Sequence, residues 1–153
     1  MINLPVSLIQ QRRPGECLVA CVGMIYTFWG IRFSYDHLQN SLRIRPDAGA
    51  PLENITRLTP NGYAVHFQRR GTLNNLYWML ARGWPSIVAV QANEFPYWNE
   101  PPTQHAVVVV GMTPDSILIN DPAASDTPST VPYGDFDLAW LEMDEAFAVI
   151  APA

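Results

Sequence analysis

The chain has 153 residues, of which 48% are hydrophobic and 15% charged; this excludes a disordered chain and predicts one globular domain over residues 1–153. All nine basic residues are arginines within residues 1–82, a segment that also holds four acidic residues. Residues 83–153 hold ten acidic residues and no Lys or Arg. Since no basic cluster is longer than a pair, we expect no nucleic-acid partner. The apolar runs are too short to span a bilayer and the start lacks a secretory signal pattern, so we expect a cytoplasmic protein without membrane insertion.

The first half of the chain is predicted to be mainly helical. Residues 17–29, CLVACVGMIYTFW, carry no charge and are followed by Gly30, which is typical of a helix buried in the centre of a domain. Glu16 is expected to supply an acidic first turn. Shorter helices are predicted from N-cap residues and turn signals at residues 34–42, 51–58 and 72–82.

Beyond residue 82 the pattern changes to short β-branched runs separated by Pro, Gly, Asn and Asp. These runs predict strands at residues 86–91, 106–112, 116–119 and 146–151, with an earlier strand at residues 64–68. Little helix separates the last strands, so the sheet should be largely antiparallel and the fold class α+β. We interpret residues 92–104 and 122–132 as ordered loops at the rim of a site, and expect Trp140 to pack in the core from a short terminal helix.

Cys17 and Cys21 are the two cysteines, and both lie on the first helix. They are too few for a disulfide framework, so free thiols are expected. Cys17 would lie in the first turn, where the helix dipole favours a thiolate and therefore a nucleophile. Cys21 lies one turn deeper among apolar residues, which favours a core role. A zinc site formed by both thiols and a histidine is disfavoured, because their spacing lacks a second ligand pair.

A nucleophile needs a base, and His105 is the best placed of the three histidines. It opens the run HAVVVVGM, so its side chain should project at a strand end that solvent and substrate can reach. Asp121 ends the next predicted strand, and two adjacent antiparallel strands could bring these side chains together, as an orienting carboxylate requires. His37 and His66 are expected to be structural or surface residues.

Gln11 lies six positions before Cys17 and could donate its side-chain amide to an oxyanion, together with the Cys17 backbone N–H. Aromatic residues flank the candidate base and carboxylate and could wall a peptide groove. They are Phe95, Tyr97 and Trp98 before His105, and Tyr133, Phe136 and Trp140 after Asp121.

The segments QRRPGECLVACVGMIYTFWG and HAVVVVGMTPDSILINDP resemble papain-fold cysteine peptidases, most closely the bacteriocin-processing, double-glycine leader peptidases and their stand-alone relatives. The resemblance implies a papain-like fold with Cys17 as nucleophile, His105 as general base, Asp121 as its orienter and Gln11 as oxyanion donor. It also implies a peptide or protein substrate, association with a partner protein or export complex, and no cofactor or metal. Leu18 departs from the family, which usually has glycine after the nucleophile.

Two alternatives to peptide hydrolysis use the same residues. The first is transfer of the acyl group to an amine, or hydrolysis of isopeptide bonds. The second is a catalytically degenerate relative that binds a partner peptide, for which Leu18 is the hint.

Overall fold

The computed structural model describes residues Met1 to Ala153 and has the predicted α+β, papain-like architecture. The elements in chain order are β1 (Ile2–Asn3), α1 (Cys17–Trp29), α2 (Tyr35–Ser41), a 3₁₀ helix (Leu52–Arg57), β2 (Tyr63–Gln68), α3 (Leu73–Ala81), β3 (Ser86–Gln91), a second 3₁₀ helix (Ala92–Glu94), β4 (Gln104–Met112), β5 (Ser116–Asn120), β6 (Ser129–Pro132), α4 (Tyr133–Leu141) and β7 (Phe147–Pro152).

All strand pairs are antiparallel, as the sequence predicts. The seven-stranded sheet has the order β2-β7-β3-β4-β5-β6, and β1 pairs with β4 outside this path. The strands β1 and β6 were not predicted. In particular, Ser129–Pro132 is a strand rather than part of a rim loop, because pairing with β5 orders a segment whose own pattern is weak.

The sheet is buried on both faces, and β4 shows why its sequence is a continuous valine run. Ala106, Val108 and Val110 face one core cluster, which also contains α1 and α2, whereas Val107 and Val109 face a second cluster that contains residues of α3 and α4. Alternate residues of a strand point to opposite faces, so a doubly covered strand must be apolar at every position. The arrangement holds the first residue of α1 near the start of β4.

The helix boundaries agree with the predictions except in two places. Residues 51–58 form a 3₁₀ helix over Leu52–Arg57 rather than an α-helix. The expected acidic first turn of α1 is wrong, because Glu16 occupies the N-cap position and makes no side-chain hydrogen bond to its own helix. Its carboxylate instead contacts α2. None of the helices is long and apolar enough to cross a membrane.

Replacing Gly111 with alanine is expected to destabilise the fold by about 1–3 kcal/mol, as overpacking commonly does. A Cβ atom at Gly111 would overlap with the carbonyl oxygen of Ile2, so β1 would have to move away from β4. Chemical denaturation measures the effect. Gly134→Ala is the matched control, because no heavy atom other than those of its chain neighbours and its own helix backbone lies within 4 Å of its added Cβ. Equal stability of the two variants would contradict the prediction.

Candidate active site

The N-terminus of α1 presents Cys17 at the edge of the core. Cys17 is partly exposed, whereas Cys21 is fully buried. No side chain caps α1, and the backbone N–H of Cys17 has no hydrogen-bond acceptor within the protein. Such unpaired N–H groups make a helix start a favourable place for negative charge.

The loop before Cys17 is held by a close backbone contact. Gly15 has φ +84°, and a Cβ atom there would lie 2.8 Å from the backbone nitrogen of Gly49. Only glycine allows both that conformation and that approach. Leu18, whose bulk is the departure from the family pattern, is 1% exposed and lies in the core cluster around α1, so its side chain does not cover Cys17 from the solvent side.

His105 and Asp121 meet at one end of the β4–β5 pair. The register aligns Val108 with Asn120, and His105 and Asp121 lie just beyond this pair. There His105 Nε2 is 2.6 Å from Asp121 Oδ1. The same carboxylate oxygen accepts the backbone N–H of Ala123 at 2.8 Å. With Nε2 directed to Asp121, Nδ1 is the ring nitrogen that remains for Cys17.

The charged forms of Cys17, His105 and Asp121 stabilise one another. Burial alone would raise the pKa of Cys17, but the hydrogen bond and charge of His105, with the backbone N–H groups of Ala106 and Leu18, hold it below its ordinary value. Burial alone would lower the pKa of His105, but Asp121 and Cys17 raise it to about 9. Burial also opposes ionisation of Asp121, yet His105 keeps its pKa below the ordinary value. The contacts therefore shift the equilibrium towards a thiolate facing an imidazolium, compared with an isolated thiol and imidazole.

The pKa of Cys21 is shifted in the direction opposite to that of Cys17. Burial raises its pKa well above the ordinary value, and the negative charges of Cys17 and Asp121 raise it further. It stays a protonated core thiol, in keeping with its predicted role. No group of three or more His, Cys, Asp or Glu side chains is arranged to hold a metal ion.

Gln11 lies next to the Asp121 loop. Its backbone N–H donates to the carbonyl of Pro122 at 2.9 Å. Its side-chain Nε2 donates to the carbonyl of Arg13 at 3.3 Å, and its Oε1 is buried without a partner. One of the two amide hydrogens thus remains free for an incoming oxyanion, and the oxyanion role of Gln11 stays a prediction.

His105 is less accessible than the sequence suggested. The residue is 6% exposed, and the ring of half-buried Trp98 lies against it with centroids 5.2 Å apart. The loop before β4 thus covers His105, and Cys17 is the partly exposed member of the group. His37 and His66 are exposed, as expected.

Tyr97 is a site residue whose function the sequence did not reveal. It was expected to wall a groove, but its hydroxyl donates to Asp121 Oδ2 at 2.5 Å. Burial, then the charge of Asp121, raises the pKa of Tyr97 far above its ordinary value, so it remains a donor. Tyr133 lies elsewhere, where its hydroxyl donates to the Thr113 carbonyl in the β4–β5 turn, and Phe136 and Trp140 are buried in the core.

Tyr97→Phe is expected to lower kcat by about 3- to 10-fold, because Asp121 loses a charge-assisted donor that water can only partly replace. The pKa of Asp121 should rise, whereas the alkaline limit of activity should stay in place, because Asp121 remains ionised at that pH and still contacts His105. A pH profile of hydrolysis tests both expectations. Tyr77→Phe, an exposed change on α3, should leave the profile unchanged; identical profiles for the two variants would refute a role for the Tyr97 hydroxyl.

Comparison with known proteins identifies the family. The profile of the Peptidase_C39 like family matches residues 3–147. The chain belongs to this family. The match to the C39-like family takes in nearly the whole chain, which agrees with the resemblance noted from the Cys17 and His105 segments. No match was found among curated protein sequences.

Solved structures share the C39-like fold at low sequence identity. A candidate C39-like peptidase from Bacillus anthracis has a TM-score of 0.82 at 16% identity, over 100% of this chain and 98% of that one. The peptidase domain of Streptococcus ComA, a bifunctional ABC transporter of a quorum-sensing pathway, has 0.74 at 18%, over 97% and 99%. A double glycine motif protease from an AMS/PCAT transporter, in complex with the leader peptide, has 0.71 at 18%, over 99% and 94%.

Proposed function

We propose that this protein is a cysteine peptidase that hydrolyses a peptide bond with Cys17 as the nucleophile. The observation that carries the proposal is the chain of interactions from Asp121 through His105 to Cys17, in which the pKa of the thiol is lowered and that of the imidazole is raised. An isolated core cysteine and a structural histidine would not shift each other's pKa values in these opposite directions.

In the first step the Cys17 thiolate attacks the carbonyl carbon of the substrate and the carbonyl electrons move to its oxygen. The free N–H of Cys17 and the remaining amide hydrogen of Gln11 stabilise the resulting oxyanion. The intermediate collapses to a thioester as the C–N bond breaks, and His105 donates its proton to the departing amine. The products of this step are a free amine and an acyl group bound to Cys17.

In the second step neutral His105 removes a proton from a water molecule, which attacks the thioester. The carbonyl re-forms and the C–S bond breaks, which releases a carboxylic acid and restores the thiolate–imidazolium pair. Asp121 holds the imidazole in one tautomer and orientation throughout, with Tyr97 and Ala123 holding Asp121.

The proposed substrate is a peptide or protein cut after small residues such as a double-glycine motif. The proposal is supported by family membership and by the similar fold of a protease for which this motif is named. Association with an export complex is proposed on the same ground, since similar folds occur as domains of transporters. The free thiols of Cys17 and Cys21 suit a reducing compartment such as the cytoplasm.

The pH dependence of hydrolysis is expected to be bell-shaped with an alkaline limit at about pH 9. Deprotonation of His105, whose pKa is raised to about 9, removes the general acid for the leaving amine, so activity falls as the pH rises through that value. The acid limb should lie below the ordinary thiol pKa because the pKa of Cys17 is lowered. Steady-state kcat across pH 4 to 11 measures both limbs; activity that keeps rising beyond pH 10, as for a simple thiol, would contradict the assignment.

Substrate profiling with a peptide library tests the function directly. The wild-type protein is expected to enrich products that end in small residues at the new carboxyl terminus, and Cys17→Ala should retain peptides without cutting them. An added amine distinguishes hydrolysis from acyl transfer, because transfer would attach the amine to the new carboxyl end. If the wild-type protein cleaves no member of the library, the proposal is wrong.

A further inference from the structure

Glu16 is a buried carboxylate that neither the proposed triad nor the capping of α1 uses. The residue is 6% exposed and directly precedes Cys17. Its Oε1 accepts the hydroxyl of Tyr35 at 2.8 Å, and its Oε2 accepts Nε2 of Gln39 at 3.0 Å. A carboxylate is costly to bury, and here each oxygen receives a donor from α2 instead of a counter-charge.

The two donors come from one helix face, and Tyr35 is also held from outside. Tyr35 and Gln39 lie four residues apart on α2 and so share one face of that helix. The guanidinium of Arg12 stacks over the Tyr35 ring, 3.9 Å from its centroid, and lies 4.0 Å from Asp36. Burial, followed by the hydrogen bond to Glu16, raises the pKa of Tyr35 to about 12, so its hydroxyl stays a donor over the working pH range.

The backbone of Glu16 controls the direction of the Cys17 N–H. Residues at the N-cap position usually have an extended backbone, but Glu16 has φ −100° and ψ 18°. Its N–H donates to the Arg13 carbonyl and its carbonyl accepts from Ala20, both at 3.2 Å. Because ψ of Glu16 sets the plane of the peptide bond to Cys17, rotation towards an extended ψ would turn the Cys17 N–H away from its present direction.

We propose that Glu16 is a positioning residue: its hydrogen bonds to Tyr35 and Gln39 fix the peptide unit whose N–H stabilises the oxyanion at Cys17. This inference rests on the proposed peptidase function and deepens it. Glu16 would act through the backbone of Cys17 and would not touch the substrate. It is not among the groups that shift the pKa of Cys17, so its loss should weaken oxyanion binding while leaving the thiolate in place.

Two reagents separate these properties. A peptide aldehyde adds to the Cys17 thiolate to form a hemithioacetal, whose oxygen occupies the position of the oxyanion, whereas iodoacetamide alkylates the same sulfur by displacement of iodide and needs no oxyanion donor. Glu16→Ala should bind the aldehyde about 10- to 100-fold more weakly and lower kcat by a similar factor, with little change in KM. Its alkylation rate against pH should match that of the wild-type protein.

Variants around Glu16 complete the test. Tyr35→Phe and Gln39→Ala each remove one donor and should give smaller losses in the same direction, and they also serve if Glu16→Ala does not fold. Glu53→Gln, which alters an exposed carboxylate paired with Arg69 at 2.9 Å, is the matched control and should behave as wild type.

The possible results distinguish this inference from the proposed function. If folded Glu16→Ala, Tyr35→Phe and Gln39→Ala bind the aldehyde as tightly as the wild-type protein, the positioning role is wrong and the peptidase function stands. A parallel change in the alkylation profile would also overturn it, because Glu16 would then act on the thiol. If wild-type Cys17 neither binds the aldehyde nor alkylates faster than a free thiol, the proposed function itself fails.

Discussion

Cys17→Ala and His105→Ala are each expected to reduce peptide hydrolysis by at least about 10,000-fold, the scale found when a member of a catalytic triad is removed. Alanine at position 17 leaves no atom to form the thioester. Alanine at position 105 removes both the charge that holds the pKa of Cys17 down and the proton donor for the leaving amine. Single-turnover cleavage of the best library peptide, followed by mass spectrometry, measures the loss.

The chain offers matched controls for both changes. Cys21→Ala alters a buried thiol whose pKa is raised, and His66→Ala alters an exposed imidazole on β2; both variants should cleave at rates near that of the wild-type protein. Thermal unfolding confirms that the inactive variants are folded. Turnover in folded Cys17→Ala would remove the assignment of the nucleophile.

Asp121→Asn is expected to lower kcat by about 100- to 10,000-fold. The side chain keeps its size, but the negative charge that raises the pKa of His105 is lost. The pKa of His105 should therefore fall, the imidazolium should lose its proton at lower pH, and the thiolate at Cys17 should become less populated. The alkaline limit of hydrolysis should move down from about pH 9, which a pH profile of single-turnover rates measures.

Asp115→Asn is the control for this change, since Asp115 is exposed in the turn at the far end of the β4–β5 pair. Its pH profile should match that of the wild-type protein. An unchanged alkaline limit in Asp121→Asn would show that the carboxylate does not set the protonation of His105.

The sequence predicted the parts of the fold that carry strong local patterns. The uncharged run that begins at Cys17 and the valine run after His105 each have too many apolar residues for a surface element, so α1 and β4 could be placed before the structure was known. Because β5 follows β4 after a short turn, the meeting of His105 and Asp121 could also be expected.

Other features depend on contacts between distant segments and left no local signal. The strand β1 has two residues, and its pairing depends on Gly111 leaving room for the Ile2 carbonyl. Tyr97 and Trp98 lie in one loop, yet the first reaches Asp121 and the second covers His105, which only the folded loop decides. The position of Glu16 in the sequence predicted an acid in the first turn of α1, but its hydrogen-bond donors come from α2.

The most direct test of the Cys17–His105 pair is the rate of Cys17 alkylation by iodoacetamide as a function of pH, measured in the wild-type protein and in His105→Ala. In the wild-type protein, Cys17 should react faster than a free cysteine peptide at pH 6 to 7, because its pKa is lowered. In His105→Ala the midpoint should rise to or above that of the free peptide. A wild-type midpoint at the ordinary thiol pKa of about 8.5, unchanged by the loss of His105, would contradict the thiolate–imidazolium pair.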